Sequence, residues 1–301
     1  MLSASREFFA QRKILEVDCP LLCRFPSTDA YIDLISAYYR GEERRFLHSS
    51  PEYAMKRLLV LGMDDCYQLS HVFRDEELGK LHSPEFMMAE WYRKSYTFEN
   101  MLKETAEFIE LFLGEKSLRV ITYREAFKQF LNMDYVTASH EELVASLKEK
   151  EFPFHGDLFQ ESRDCLLNFL LAHVIEPNFR GDSLWGLIHY PISQAAQAKK
   201  ISYAGVDVSE RFEIYFNGIE LANGYHELMD AKELRKRFMD ANAKRRELDK
   251  KEYAFDECFL AAIEKGLPDC CGVAVGFDRL MMLRHQKTCI EDVLPFSWKE
   301  A

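Results

Sequence analysis

An Asn-Gly pair between two alternating apolar segments constrains the fold of this chain more than any other local feature. Asn217 and Gly218 separate residues 211–216 from residues 219–222. A type I′ turn needs positive φ at both central residues, and Asn and Gly adopt that conformation readily. The sequence therefore predicts a β-hairpin with Glu220 opposite Tyr215.

The remaining pattern predicts further strands and helices without a regular β-α-β alternation. Predicted strands cover 14–17, 66–74, 85–92 and 271–275, and predicted helices cover 4–13, 50–61, 97–113, 140–150 and 161–175, with others opening at 231 and 277. Ser50 is predicted as a helix N-cap with Pro51 at the first helical position. Such a pattern is typical of an α+β fold with a mainly antiparallel sheet flanked by helices. No repeat or linker composition interrupts the chain, so we expect one continuous domain over residues 1–301.

Composition narrows the possible partners. Charged residues make up 30% of the chain, and no apolar run approaches the about twenty residues that span a bilayer, so neither membrane insertion nor a signal peptide is predicted. A cytoplasmic location is the expectation. The formal net charge is −11, which argues against extensive tRNA contact and favours a partner with a basic surface. The eight cysteines include no C-x-x-C pair, so neither zinc nor disulfides are expected.

One charged stretch, residues 73–77, has the residue types that bind a nucleotide. Arg74 near a strand end can bind an α-phosphate and stabilise the charge that develops there. Glu76 can accept a hydrogen bond from an adenine amino group, and Phe86 can offer a ring face to the base. The alternative is a solvated charged hairpin with a core phenylalanine.

A second stretch, residues 272–279, pairs Gly276 with Arg279 at the start of a predicted helix. Glycine permits close approach of a nucleotide to the backbone, and the arginine can reach a γ-phosphate or stack on adenine. The alternative is a strand-to-helix turn whose arginine forms a surface ion pair. Neither stretch is a P-loop, so strand-borne arginines would have to bind the phosphates.

The predicted hairpin carries two acids, Glu213 and Glu220, on one face. Strand geometry places them diagonally, roughly 7–8 Å apart, where they could hold a divalent cation completed by phosphate oxygens. Two solvated glutamates are the alternative. The apolar residues that flank them mean that acids here need either a cation or a hydrogen-bonding partner.

Three further residues could recognise a substrate with two ammonium groups. Glu52 begins a predicted helix, Tyr92 ends a strand, and Glu227 follows the hairpin. Separate acids for separate amines suit a diamino acid, because a desolvated ammonium needs a compensating charge. The alternatives are a half-buried strand tyrosine and an acid favoured by the helix dipole.

In order and spacing, these segments resemble the catalytic domain of class II aminoacyl-tRNA synthetases, specifically lysyl-tRNA synthetases and their truncated paralogues that modify elongation factor P. The segments that carry the resemblance are 14–20, 50–53, 55–59, 73–77, 84–86, 90–92, 218–224 and 268–279. The resemblance implies that ATP and Mg²⁺ are used and that the chain is a homodimer.

It also implies roles for individual residues. The ATP-binding residues would be Arg74, Glu76, Phe86, Glu220, Leu221, Gly276 and Arg279, with Arg74 and Arg279 catalytic. The metal ligands would be Glu213 and Glu220. The substrate-binding residues would be Ser50, Glu52, Tyr92, Asn223, Glu227 and Ala274.

Two features favour the paralogues over true synthetases. Only about a dozen residues precede the first matching segment, which leaves no room for an anticodon-binding domain. Synthetases usually have glycine where this chain has Ala274, and the added methyl would disfavour α-lysine and suit (R)-β-lysine. Ser83 stands where the family usually has asparagine, so no nucleotide contact is expected from it.

The predicted activity is ATP-dependent adenylation of (R)-β-lysine, or of lysine, followed by transfer to a lysine of elongation factor P. Two alternatives remain open. One is a stand-alone lysyl transferase that acts on tRNA or another acceptor, and the other is an inactive regulatory paralogue.

Overall fold

The structure is a computed structural model that describes residues 1–301. The α-helices, in chain order α1 to α9, are Leu2–Gln11, Glu52–Val60, Phe98–Leu113, Tyr123–Leu131, His140–Glu149, Arg163–Leu170, Ala231–Glu247, Glu257–Gly266 and Phe277–Arg284. The strands, β1 to β12, are Leu15–Glu16, Leu22–Cys23, Ser36–Tyr39, Glu43–Leu47, Cys66–Phe73, Glu85–Lys94, Ser117–Thr122, Ser183–Pro191, Lys200–Tyr203, Val206–Phe216, Ile219–His226 and Cys270–Gly276. None of the helices is long and apolar enough to cross a membrane.

The chain divides into two compact units. Unit 1 comprises Met1–Gly114 and His226–Ala301, and unit 2 comprises Glu115–Tyr225. One continuous domain over residues 1–301 stays a prediction.

The main sheet of unit 1 is built around two long antiparallel strands. Strand β6 pairs with β5 on one side and with β12 on the other, both antiparallel, and β1 adds to β5 in parallel. Tyr92 lies opposite Gly272, and Glu90 lies opposite Ala274. Because side chains two residues apart share a sheet face, these four positions lie on the same face. A smaller sheet contains β2, β4 and β3.

Helices of unit 1 cover this sheet with aromatic and aliphatic side chains. Trp91, fully buried on β6, donates its indole N–H to Glu104 of α3 at 3.0 Å. On α2, Tyr53 stacks on Phe259 of α8 with ring centroids 4.0 Å apart. Helices α2 and α8 are thereby fixed against each other, and the start of α2 has a defined position.

Unit 2 contains its own antiparallel strands and its own core. Strand β10 pairs antiparallel with β8, β9 and β11, and β7 joins β8 in parallel. Helices α4, α5 and α6 pack around an aromatic core that includes Tyr123, Phe127 and Phe179. The mixed, mostly antiparallel pairing in both units confirms the predicted α+β class.

Most locally specified elements are confirmed. Asn217 and Gly218 have φ of 50° and 76°, and Tyr215 pairs with Glu220 as predicted. Ser139 and Glu142 form a capping box at the start of α5, which was predicted over 140–150, and Asp230 caps α7 through the backbone N–H groups of residues 232 and 233.

Two element predictions were wrong in detail. Pro51, not Ser50, is the residue before the first helical position of α2. Ser50 accepts a hydrogen bond from the backbone N–H of Glu52 at 2.9 Å, but it lies one residue further out. The helix predicted over 161–175 is α-helical only to Leu170 and continues as a π-helical segment, Leu171–Ile175.

Candidate active site

The start of helix α2 and the middle of strand β6 carry two acids that Ser50 connects. The Ser50 hydroxyl donates to Oε2 of Glu90 at 2.7 Å and accepts from the backbone N–H of Glu52. Glu90 is only 2% exposed. Burial, and secondly the charge of Glu52, raise the pKa of the Glu90 carboxyl to about 8. A cation brought next to Glu90 would favour its ionised form.

Tyr92 supplies the other hydrogen bond to Glu90. Its hydroxyl donates to Oε1 at 2.8 Å, so each oxygen of this carboxylate has one hydroxyl donor. Burial raises the pKa of Tyr92, which therefore stays a neutral donor. The tyrosine predicted as a substrate ligand is thus held in place by an acid two residues before it on the same sheet face.

A buried lysine joins the two predicted acids of the site. Lys56 Nζ lies 2.5 Å from Oε1 of Glu52 and 2.5 Å from Oε2 of Glu227. Lys56 and Glu227 side chains are each 1% exposed. The two carboxylates raise the pKa of the lysine against the opposing effect of burial, which is the largest single influence, so the ammonium form is retained. Burial raises the pKa of Glu227, and the charge of Lys56 opposes that rise.

Gly272 leaves the space in which these side chains meet. A Cβ at this position would lie closer than 3.0 Å to the ring of Tyr92 and to Oε1 of Glu227. Ala274, two residues further along β12, faces the same side opposite Glu90 and is half-buried. Its methyl therefore lies on the sheet face that carries the carboxylates.

The structure brings together a group that we name the acid cluster: Ser50, Glu52, Lys56, Glu90, Tyr92 and Glu227. Four of these residues, all but Lys56 and Glu90, are predicted substrate ligands, and that role stays a prediction. Asn223, also predicted to bind substrate, lies in unit 2.

Lys56 and Glu90 were not predicted as site residues. Both left a signal. Glu90 is an acid inside an apolar strand, where it needs a partner. Lys56 follows Glu52 by four residues in a helix, the spacing at which a glutamate and a lysine meet. Only the tertiary fold adds the second carboxylate, Glu227, to that pair.

Arg74 lies just after strand β5, at the loop that leads to β6. Its backbone N–H donates to the carbonyl of Pro84 at 2.9 Å, which holds the arginine beside the start of β6. The guanidinium lies 5.2 Å from the Phe86 ring centroid and 3.6 Å from Glu77 Oε2. Glu76 is exposed in the loop with φ of 63°. Arg74, Phe86 and Glu76 thus occupy one partly open region.

Arg279 contacts the same loop from helix α9. Its guanidinium donates to the carbonyl of Leu81 at 3.3 Å and contacts Nε2 of His82 at 2.8 Å. Burial, and then the charge of Arg279, lower the pKa of His82. The neighbouring residue, Asp278, accepts a hydrogen bond from the backbone N–H of Met87 at 2.8 Å. Both predicted arginines therefore border the loop between β5 and β6.

Gly276 ends β12 immediately before helix α9. A Cβ built there would meet only the Arg279 side chain, at 3.6 Å or more, which is ordinary contact. No protein atom therefore requires glycine at this position, in contrast to Gly272. The space beside Gly276 is open to a ligand.

In unit 2 the hairpin acids are arranged differently from a simple diagonal pair. Tyr215 pairs with Glu220, but the register shifts by one residue, and Glu213 then lies opposite Asn223. Leu221 is the extra residue and its side chain is buried, so only its backbone could contact a nucleotide.

Glu213 has hydrogen-bonding partners at both oxygens. Oε1 accepts from Arg211 at 2.5 Å and from Asn223 at 3.4 Å, and Oε2 accepts from the hydroxyls of Tyr190, at 2.6 Å, and Tyr215. These four donors stabilise the buried acid. No group of three or more His, Cys, Asp or Glu side chains is arranged to hold a metal. A cation at Glu213 would have to displace one of these donors, whereas Glu220 is half-buried.

A family model described as "tRNA synthetases class II (D, K and N)" matches residues 1–300. The chain belongs to this family. Its catalytic-domain fold is that of class II synthetases, as predicted.

Curated relatives within the class II family cover nearly all of the chain. A protein of Haemophilus influenzae (strain PittGG) is 38% identical over 302 residues, which are 99% of this chain and 92% of that protein. One of Avibacterium paragallinarum is 39% identical over 306 residues, or 100% and 94%. One of Proteus mirabilis (strain HI4320) is 38% identical over 301 residues, or 98% and 92%. All three are named "Elongation factor P--(R)-beta-lysine ligase".

Proposed function

We propose that this chain is an ATP-dependent ligase that adenylates (R)-β-lysine and transfers it to a lysine ε-amine of elongation factor P. The observation that carries the proposal is the acid cluster. It offers three carboxylates and one fixed ammonium on a sheet face of a class II synthetase domain. The names of the curated relatives support the choice of amino acid and acceptor.

The acid cluster supplies the chemistry that a diamino acid needs. With all carboxyl groups ionised, the three glutamates and Lys56 carry a net charge of about −2, which two ammonium groups would neutralise. We assign Glu52 to the amine nearer the carboxylate, and Tyr92 with Glu227 to the terminal ammonium. Ser50 and Asn223 complete the proposed ligands.

Arg74 and Arg279 are the proposed phosphate ligands, with Glu76 and Phe86 at the adenine. The amino-acid carboxylate would attack the α-phosphorus, forming the carboxyl–phosphate anhydride and releasing pyrophosphate. The guanidinium groups would stabilise the charge that develops on the phosphoryl oxygens. The acceptor ε-amine, in its neutral form, would then attack the acyl carbon, forming an amide and releasing AMP and a proton.

Mg²⁺ is proposed at Glu220, with Glu213 as the second ligand and phosphate oxygens completing the shell. Such a cation would neutralise charge on the triphosphate. Because Glu213 already has donors at both oxygens, Glu220→Gln should raise the Mg²⁺ concentration for half-maximal activity more than Glu213→Gln does at equal folded fraction. An unchanged Mg²⁺ requirement in Glu220→Gln would refute this assignment.

A cytoplasmic homodimer with a protein acceptor is the remaining part of the proposal. The net charge of −11 disfavours a tRNA acceptor. Exposed Leu15, in the segment 14–20 that carries part of the resemblance, and exposed Leu22, two residues beyond that segment, support a self-association surface. Sedimentation at micromolar concentration should give twice the mass of the 35.3 kDa chain, and a monomer would refute the dimer.

The direct test of the proposed function is the mass of the acceptor. Purified elongation factor P, incubated with the enzyme, ATP and (R)-β-lysine, should gain one β-lysyl group on one lysine. Omission of ATP should abolish the gain, and tRNA in place of the factor should remain uncharged. Labelled tRNA, or an unmodified factor despite adenylate formation, would contradict the proposed acceptor.

A further inference from the structure

Lys56 is the one cation of the acid cluster, and it is paired with one buried carboxylate, Glu227, and one partly exposed carboxylate, Glu52. Its ammonium lies 2.5 Å from an oxygen of Glu52 on the same helix and 2.5 Å from an oxygen of Glu227, 171 residues later in the sequence. Lys56 is 1% exposed, so its charge is compensated only by protein groups. A lysine bound on two sides in this way has a fixed position.

The second observation concerns Oε1 of Glu227, the oxygen that does not contact Lys56. Oε2 contacts Lys56, but the buried Oε1 accepts no hydrogen bond. A Cβ at Gly272 would lie closer than 3.0 Å to this oxygen and to the ring of Tyr92, so Oε1 is directed at strand β12 beside Tyr92. A buried carboxylate oxygen without a donor is costly unless a ligand supplies one.

We propose that Lys56 is a positioning residue for the amino-acid substrate: it binds one oxygen each of Glu52 and Glu227 and leaves the other oxygen of Glu227 for a substrate ammonium. This inference rests on the proposed function and extends it to the selection of substrates with two amines. The fixed ammonium also reduces the net negative charge of the acid cluster, so two substrate ammonium groups suffice to neutralise it.

The proposal predicts a defined defect when the ammonium is removed. In Lys56→Ala the two acids lose their common cation and repel each other. We expect the KM for the diamino acid to rise about a hundredfold or more, since an uncompensated buried charge costs that much affinity. The KM for ATP should change by less than about threefold.

n-Propylamine is the probe that separates positioning from folding. The substitution removes three methylene groups and the ammonium, which together have the size and charge of n-propylammonium. Millimolar n-propylamine should restore the activity of Lys56→Ala at least about tenfold and saturably. n-Propanol has a similar size but carries no charge and cannot replace the ammonium. It therefore serves as the matched uncharged probe.

Arg245→Ala is the matched control variant. Arg245 is also 1% exposed in unit 1 and binds Asp33 at 2.6 Å, but it lies outside the acid cluster. Its loss should lower the melting temperature without changing either KM by more than about threefold, and amines should not restore it. Lys56→Met, which keeps a linear side chain one atom shorter and removes the charge, replaces Lys56→Ala if the latter does not fold.

Three kinetic outcomes would overturn the inference. They are an unchanged KM for the diamino acid in Lys56→Ala, restoration by propanol equal to that by propylamine, and a change in both KM values that Arg245→Ala reproduces. Calorimetric measurement of 1,5-diaminopentane binding distinguishes a failure of this inference from a failure of the proposed function. Binding to the wild type that Lys56→Met weakens at least about tenfold supports the inference even if no adenylate forms, and equal binding to both refutes it.

Discussion

The carboxylate of Asp278 accepts a hydrogen bond from the backbone N–H of Met87 at 2.8 Å, across 191 residues of sequence. Asp278 is the second residue of helix α9 and Met87 lies in strand β6, so this bond joins the helix that carries Arg279 to the strand that follows the Arg74 loop. The next residue, Arg279, contacts Leu81 and His82 in the loop before β6. One buried acid therefore holds the helix that carries Arg279 against strand β6.

Loss of this acid should therefore affect both stability and ATP binding. We expect Asp278→Ala to lower the free energy of unfolding by about 1–3 kcal/mol, because the Met87 N–H loses its acceptor in a buried site. The KM for ATP should rise while the KM for the amino acid changes less. Urea denaturation and pyrophosphate exchange measure the two effects. Asp64→Ala, which removes an exposed surface ion pair with Lys94, is the control and should change neither quantity appreciably.

Gly272 and Gly276 should respond differently to the same substitution. Gly272→Ala places a methyl against Tyr92 and Glu227, so the KM for the amino acid should rise at least about tenfold. Gly276→Ala meets no protein atom closer than 3.6 Å, so it should fold normally and raise only the KM for ATP. Steady-state kinetics of both variants test this. Equal KM values for the amino acid in Gly272→Ala and wild type would refute the position of Oε1 of Glu227.

Glu90 should make stability decrease with pH. Its pKa in the folded chain is about 8, whereas an unfolded glutamate has a pKa of about 4.3. The folded state thus holds the proton more tightly. The resulting stabilisation is complete below the unfolded pKa and is lost as the pH rises through about 8.

Glutamine at position 90 cannot titrate, so Glu90→Gln should flatten the decline in the free energy of unfolding between about pH 5 and pH 8.5. Urea titrations at several pH values measure the slope. Glu85→Gln, on the same strand and exposed, is the control and should keep the wild-type slope. A Glu90→Gln slope equal to that of wild type would contradict the raised pKa.

The methyl of Ala274 should bias the choice between α-lysine and (R)-β-lysine. A methyl-sized change in a binding site is worth about 1–3 kcal/mol, or roughly five- to two-hundredfold in preference. We expect Ala274→Gly to shift kcat/KM toward α-lysine by an amount in that range. Ala89→Gly, also in a central strand but opposite Val275 on the other face, is the control for backbone effects. Equal use of both substrates by wild type and both variants would show that the Ala274 methyl does not set the substrate preference.

Local sequence signals predicted much of the fold. Asn217 and Gly218 specify a turn through their own φ preferences, and Ser139 with Glu142 specify a helix start, because each signal lies within a few residues. Ser50 was predicted as the N-cap, but Pro51 takes that position, and the Ser50 hydroxyl also donates to Glu90, forty residues away. Such a contact leaves no local pattern.

The site was harder to predict because its charges are compensated through the fold. Glu213 was predicted to need either a cation or a hydrogen-bonding partner, and Tyr190, on a strand 23 residues earlier, supplies a hydroxyl as one such partner. Lys56 acquires its second carboxylate only when Glu227 reaches it. Residue types and spacing therefore identified the acids, while their partners required the tertiary structure.

Pyrophosphate–ATP exchange with (R)-β-lysine and with 3-aminohexanoate, the same molecule without its terminal amine, tests the central claim most directly. We expect exchange that saturates with (R)-β-lysine. We expect a kcat/KM at least about a hundredfold lower for 3-aminohexanoate, because this compound leaves a buried carboxylate without its ammonium. Equal exchange with both compounds, or none with (R)-β-lysine, would contradict it.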